Sequence, residues 1–252
     1  MEDAVTPKVA GLLRVRNEEA NVAAWCEAYP WVDMILVADG GSTDRTIEIA
    51  NRYANVKVRH YPVLLTNPKG GVYNPHGSQM CQWLWDWAKE EAVDWVVMDD
   101  CDCLPNYLVR RDLAGIIAET AADMIYAVRI NEYMDSCMHF PQLAKPYGND
   151  QWGYGFYAWK TNLPMAYQTN EKRNEYHQCF EPEPWPNPME KPGNILTLEP
   201  PYCLIHRPWR TAEAIMEKLK RYTDGLAMHH AHPLAGWAGT LAPMPEWARD
   251  KE

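Results

Sequence analysis

The residues best suited to chemistry are three carboxylates packed into four positions. Asp99, Asp100 and Asp102 follow directly on the apolar run Trp95-Val96-Val97-Met98. Two carboxylates spaced as Asp100 and Asp102 are, in a turn, can converge on a hard divalent cation, and Mg2+ or Mn2+ would fit. Without a cation, three neighbouring carboxylates repel one another and their pKa values rise. The Asp-x-Asp tripeptide is short, and on its own it equally suits acids that cap the next turn or face water. Two further polar clusters, Arg16-Asn17-Glu18-Glu19 and Asp39-Gly40-Gly41-Ser42-Thr43-Asp44, each close another apolar run.

Other metal-ligand types are present, with less suitable spacing. Cys101-x-Cys103, Cys137-x-His139 and His177-x-Cys179 each have one intervening residue where structural zinc sites show two to four. His229-His230-Ala231-His232 reads as a solvated polar turn before it reads as a transition-metal site. Lys69 beside Gly70 and Gly71 could approach a phosphate, but suits a solvated loop equally well.

Placing the acidic run requires a scaffold, and the apolar pattern supplies one. Residues 9–15 and 34–38 are nearly continuous apolar runs, the mark of strands buried on both faces, and 95–98 is a third. Val56 to Tyr61 alternates with period 2. Between these runs, Val22, Trp25, Cys26 and Tyr29, then Ile47, Ala50 and Tyr53, then Met80, Leu84, Trp87 and Ala88 fall on helical stripes. Ser42 or Thr43 is the expected cap of the second helix. Strand alternating with helix predicts an α/β fold, a mostly parallel sheet with helices on both faces, whose ligands bind outside the carboxyl ends of the strands. All three polar clusters fall on that edge.

Beyond residue 105 the expected elements are a helix over 108–122, strands over 124–130, 155–159 and 202–205, and a helix over 211–222. Residues 181–201 hold seven prolines and read as an extended loop or lid. The tail after 224 has no clear period.

Composition narrows the class. With 47% hydrophobic and 23% charged residues, the chain is neither disordered nor fibrous overall. No apolar run is long enough to span a membrane, and Met1 to Thr6 does not resemble a secretory leader, so a cytoplasmic location is expected. Lys and Arg number 24 against 34 Asp and Glu, a net charge of −10 that disfavours a general nucleic-acid binder. Seven cysteines, an odd number, read as reduced thiols. Trp and Tyr far outnumber Phe, and Trp152, Tyr154, Trp159, Trp185 and Trp209 could stack on sugar rings or equally well pack a core or lid.

The order and spacing of Asn17-Glu18-Glu19, Asp39 with Gly41-Ser42-Thr43-Asp44, and Asp100-Cys101-Asp102, each closing a strand, resemble the family 2-like glycosyltransferases with the GT-A fold. The likeness covers roughly the first 105 residues. A looser match follows at Leu204-Ile205-His206-Arg207-Pro208-Trp209 and Lys218 to Tyr222. The resemblance implies a GT-A nucleotide-binding sheet with an irregular C-terminal acceptor or lid region. It implies one domain over 1–223, a nucleotide-sugar half at 1–105 and an acceptor half at 106–223, followed by a tail at 224–252. Arg16, Asn17, Glu18, Asp39, Asp99 and Asp100 would bind the nucleotide, with Asp39 near the base. Asp100, Asp102 and His206 would ligate Mn2+ or Mg2+.

The same resemblance implies transfer of a sugar from a nucleoside-diphosphate sugar, UDP-linked as the first expectation, to an acceptor hydroxyl of unidentified type. Attack in line would invert the anomeric centre and needs a carboxylate base. The familiar Glu-Asp pattern for that base is missing, so the candidates are Asp150, Glu175 and Glu181, each of which also suits an exposed loop acid. The competing readings are a nucleotidyltransferase, against which the missing Lys- and Gly-rich triphosphate loop counts, and a non-catalytic nucleotide- or sugar-binding module.

Overall fold

The computed structural model describes residues 6–61, 77–133, 138–139, 153–163, 165–167, 180–182, 194–207, 242–243 and 246. Its elements run β1 (Val9–Val15), α1 (Val22–Ala28), β2 (Met34–Asp39), α2 (Thr46–Ala50), β3 (Val56–His60), α3 (Gly77–Glu90) and β4 (Trp95–Met98). They continue with β5 (Cys103–Pro105), α4 (Tyr107–Glu119), β6 (Met124–Tyr133), β7 (Met138–His139), β8 (Gly153–Lys160), β9 (Met165–Tyr167), β10 (Phe180–Pro182), β11 (Ile195–His206) and β12 (Ala242–Pro243).

Strands buried on both faces need cover on both faces, and the chain provides it. β3, β2, β1 and β4 lie side by side in that order, all parallel. On one face Leu13, Val15, Ile35, Val37 and Val97 pack with Trp25 of α1, Ile49 of α2 and Leu113 of α4. On the other, Leu12, Leu36, Ala38 and Val96 pack with Leu84, Trp85 and Ala88 of α3. The α/β class and the two-sided helical cover expected from the alternating elements are therefore what the chain adopts. Gly11 shows how closely the layers approach: a Cβ there would meet the Trp25 ring at 3.0 Å. Among the described residues no helix is long and apolar enough to cross a membrane.

The second half of the sheet is mixed. β8 inserts between β4 and β6 and runs antiparallel to both, while β11 runs parallel to β6. β11 also pairs antiparallel with the three-residue β5. β7 pairs antiparallel with the end of β6 and with β12, so two residues of the tail after 224 join the sheet, and β9 and β10 form a separate ribbon. The expected helix over 211–222 and the boundary at 223 lie outside the described residues.

Two local expectations are corrected. The proline-rich 181–201 segment is not a loop throughout, because β11 begins at Ile195. Pro200 and Pro201 sit where its register with β6 shifts, between Leu198 and Cys203, and a residue without an N–H is tolerated at such an irregularity. Neither Ser42 nor Thr43 caps α2. Ser42 Oγ instead accepts from the Asn17 N–H at 3.1 Å, and Asp44 Oδ1 accepts from the Thr46 N–H at 3.0 Å.

Asn106 ties β5 and α4 to β11. Its Oδ1 accepts from the Val109 N–H at 3.1 Å as the N-cap of α4, and its Nδ2 donates to the Pro201 carbonyl at 2.8 Å. Its backbone N–H donates to the Cys203 carbonyl at 2.9 Å. Asn106→Ala should destabilise the fold by about 1–2 kcal/mol through the lost cap alone, with Asn106→Asp losing less. Urea unfolding of the two variants checks this, and an unchanged midpoint for Asn106→Ala would refute the role.

Candidate active site

Parallel strands in register bring their carboxyl ends together, so the first two polar clusters meet. The Asn17 N–H donates to Ser42 Oγ, and Asn17 Oδ1 accepts from the Thr43 N–H at 2.8 Å. Glu18 N–H donates to Thr46 Oγ1 at 2.7 Å and Glu19 N–H to Asp44 Oδ2 at 3.1 Å. Asn17 adopts a φ of 55° and Gly41 one of 88°, left-handed conformations that asparagine tolerates and glycine takes freely. The hydrogen-bonded groups of Asn17 thus brace one loop against the other. Glu18 Oε2 accepts from Asn21 Nδ2 at 2.8 Å, at the start of α1.

Asp39 is 1% exposed. Its Oδ1 accepts from the Ser42 N–H at 2.9 Å, and its Oδ2 lies 2.8 Å from Nδ1 of His60, whose side chain is largely exposed at the end of β3. The acid therefore presents an imidazole at this edge, a residue the sequence reading did not single out.

The acidic run is held by two arginines that were likewise missed. Leu12 of β1 pairs with Met98 of β4, and two residues further on Arg14 meets Asp100. Arg14 Nε donates to Asp100 Oδ1 at 3.1 Å, and a terminal guanidinium nitrogen donates to the same oxygen. Arg129 of β6 donates to Asp99 Oδ1, which also accepts from the Asp100 N–H at 2.8 Å. Burial alone would raise the Asp100 carboxyl, but Arg14, with Arg129 and His206 beyond it, outweighs burial and holds it well below the usual carboxylate range. Burial pushes Asp99 up, opposed by Arg129 and reinforced by Asp100.

His206 arrives from the other end of the sequence. It ends β11, pairing with Cys103 of β5 and with Asn131 of β6. The next residue locks that end: the Arg207 N–H donates to the Asp102 carbonyl at 2.7 Å, and Arg207 Nε donates to Glu132 Oε2 at 2.7 Å. His206 Nε2 stands 3.4 Å from Asp102 Oδ1. One ligand atom each from Asp100, Asp102 and His206 lies within 4.8 Å of the others, so two carboxylates and an imidazole could hold a divalent cation. No other such group of three occurs among the described residues.

The remaining candidates divide. Arg16 follows β1 at the same edge. Asp150 and Glu175 lie outside the described residues, as do Lys69, Trp152, Trp185, Trp209 and the His229–His232 cluster. Glu181 falls on β10. Trp159 is 1% exposed in the α3-side core, so it packs the sheet and cannot stack on a ligand. A recess of about 480 Å³ lined by Lys89, Val93, Asp94, Thr161 and Leu163 lies at the opposite, amino end of β4.

No family model matches the chain, and no curated protein matches it. Solved structures do. S. aureus TarS 1–349 in complex with UDP aligns with 77% of this chain and 61% of its own at 14% identity, TM-score 0.45. The same protein in complex with UDP-GlcNAc aligns with 51% of this chain and 36% of its own at 18% identity, TM-score 0.39. Glucosyl-3-phosphoglycerate synthase from Mycobacterium tuberculosis, in complex with Mn2+, UDP and glucosyl-3-phosphoglycerate, aligns with 63% of this chain and 58% of its own at 20% identity, TM-score 0.41. The chain thus spans less than two thirds of the length of each.

The cysteines bear on the zinc alternative. Cys26, Cys81, Cys101, Cys103 and Cys203 are buried free thiols. Burial, then the Glu27 charge, pushes Cys26 up to about 12 from an ordinary 9.0, and burial carries Cys101 and Cys103 well above their usual value. A raised folded value favours the native state while the unfolded thiol keeps its proton, and that contribution is lost as pH rises past about 9. In the native protein at pH 8, Ellman's reagent should therefore modify no more than Cys137 and Cys179, with all seven cysteines reacting after denaturation. Rapid modification of more than two without unfolding would contradict this burial.

Proposed function

We propose that the protein is a metal-dependent, inverting glycosyltransferase of the GT-A type that takes a nucleoside-diphosphate sugar, UDP-linked, and passes the sugar to an acceptor hydroxyl. The observation that carries this reading is the meeting of Asp100, Asp102 and His206 at the carboxyl edge of the sheet, where ligands of open α/β sheets bind. Their imidazole nitrogen favours Mn2+ over Mg2+, which prefers oxygen donors. A cation bound by these three residues would act as a Lewis acid on the departing diphosphate.

The chain's own residues do the rest. The interlocked loops of Asn17 to Glu19 and Asp39 to Thr46 form a wall for the nucleoside, fixed before the ligand arrives, which lowers the ordering cost of binding. Asp39 holds the His60 ring against that wall. Arg14 keeps Asp100 ionised, and the positive charge of Arg14 and Arg129 favours a phosphate nearby. The base that takes the acceptor's proton is drawn from Asp150, Glu175 and Glu181, and direct in-line attack inverts the anomeric centre.

Thermal denaturation with UDP, GDP, CDP and dTDP, each with Mn2+, Mg2+ or EDTA, tests the donor class. UDP with Mn2+ should raise the melting temperature and EDTA should abolish the rise, a linkage of about 2.7 kcal/mol at a hundredfold excess over the dissociation constant. Asp102→Asn should lose that shift and at least ~100-fold in sugar transfer or donor hydrolysis while melting near the wild type unliganded. No shift with any nucleotide, or full activity in Asp102→Asn, would overturn the reading.

A further inference from the structure

Arg14 and a divalent cation would want the same carboxylate. The guanidinium sends two N–H groups to Oδ1 of Asp100, and Asp100 is one of the three residues whose ligand atoms converge. A carboxylate serving mainly to bind a cation gains nothing from a positive charge placed on it, since like charges repel at this range. Arg14 lies in β1 two residues past Leu12, and Leu12 pairs with Met98 two residues before Asp100, so neighbouring strands place the contact. Asp102 in turn stands 3.4 Å from the His206 imidazole, so a bare cation meets carboxylates that already have partners. A diphosphate arriving with the ion brings negative charge of its own.

We propose that Arg14 makes cation binding conditional on the nucleotide diphosphate. By neutralising Asp100 it keeps the affinity for the bare cation low, and the diphosphate supplies the missing negative charge, for the cation and for Arg14 alike. Coupling of this kind is reciprocal: the factor by which the diphosphate tightens the cation is the factor by which the cation tightens the diphosphate. The inference rests on the donor reading above and adds to it a residue that sets the order of assembly. It also separates two roles for Arg14. If the arginine only held Asp100 in place, removing it would disorder the carboxylate and weaken the cation. If it competes with the cation, removing it strengthens the cation in the absence of nucleotide.

The test is a titration of the full chain with Mn2+, followed by calorimetry and by the electron paramagnetic resonance signal of free Mn2+. Wild type, Arg14→Gln, Arg14→Met and Arg14→Lys are compared, each alone and with saturating UDP. The wild type should bind Mn2+ about tenfold or more tighter with UDP than without. Arg14→Gln and Arg14→Met should bind Mn2+ alone at least about fivefold tighter than the wild type and lose most of the gain from UDP. Arg14→Lys, which keeps the charge, should stay near the wild type. Mn2+ alone binding Arg14→Gln and Arg14→Met no tighter than the wild type would overturn the proposal. If both variants fail to fold, the wild type decides it: equal Mn2+ affinity with and without UDP while UDP binds overturns the coupling alone. UDP failing to bind with or without Mn2+ overturns the donor reading and the coupling together.

Discussion

Carboxylates can crowd the end of a buried strand only if opposite charge is built in beside them. Asp99 is almost wholly buried, and Asp100 keeps 35% of its side-chain surface accessible. Two ionised acids in succession there would be costly by desolvation and mutual repulsion. Arg14 from β1 and Arg129 from β6 answer that cost from two different strands. The order of strands is therefore also an electrostatic requirement: β1 has to lie next to β4 for Arg14 to reach Asp100, and β6 has to come within one strand of β4 for Arg129 to reach Asp99. The insertion of β8 between β4 and β6 sets that second distance.

A second constraint completes the cluster. Asp102 and His206 are distant in sequence and are joined by the short antiparallel pairing of β5 with β11. Three residues of strand would be a weak anchor alone. Asn106 reinforces them through bonds to Pro201, Cys203 and the first turn of α4, and Arg207 closes the far side on Asp102 and Glu132. The Glu132–Arg207 pair is mostly buried, so the backbone at His206 is fixed by a pair shielded from competing water. The candidate ligands thus come from a loop and a strand end whose positions are set by their neighbours, as a preorganised site requires.

Much of this was legible in the residues. Continuous apolar runs gave β1, β2 and β4, and the polar cluster after each located the sheet edge where the chemistry gathers. The stripe containing Met80, Leu84 and Trp87 gave α3. β5 is three residues long and has no period to read, and two prolines in β11 argue against a strand unless the register break between Leu198 and Cys203 is known. The antiparallel direction of β8 is a property of the connection and is not written in its own residues. Arg14 and Arg129 were passed over because a charged residue near a strand end reads as solvent-facing, and only the pairing of Leu12 with Met98 shows that Arg14 faces an acid. For Trp159, stacking on a ligand and packing in the core suited the sequence equally well, and the side chain is spent on the core.

Everything proposed for this edge requires Asp100, Asp102 and His206 to share one cation. Electron spin-echo spectroscopy of the Mn2+ complex formed with UDP tests it directly, because a bound imidazole imprints a nitrogen modulation on the manganese signal that carboxylates do not. The wild type should show nitrogen modulation and His206→Gln should lose it, with Mn2+ still held by the two carboxylates. A manganese complex without nitrogen modulation, or one whose modulation survives His206→Gln, would contradict it.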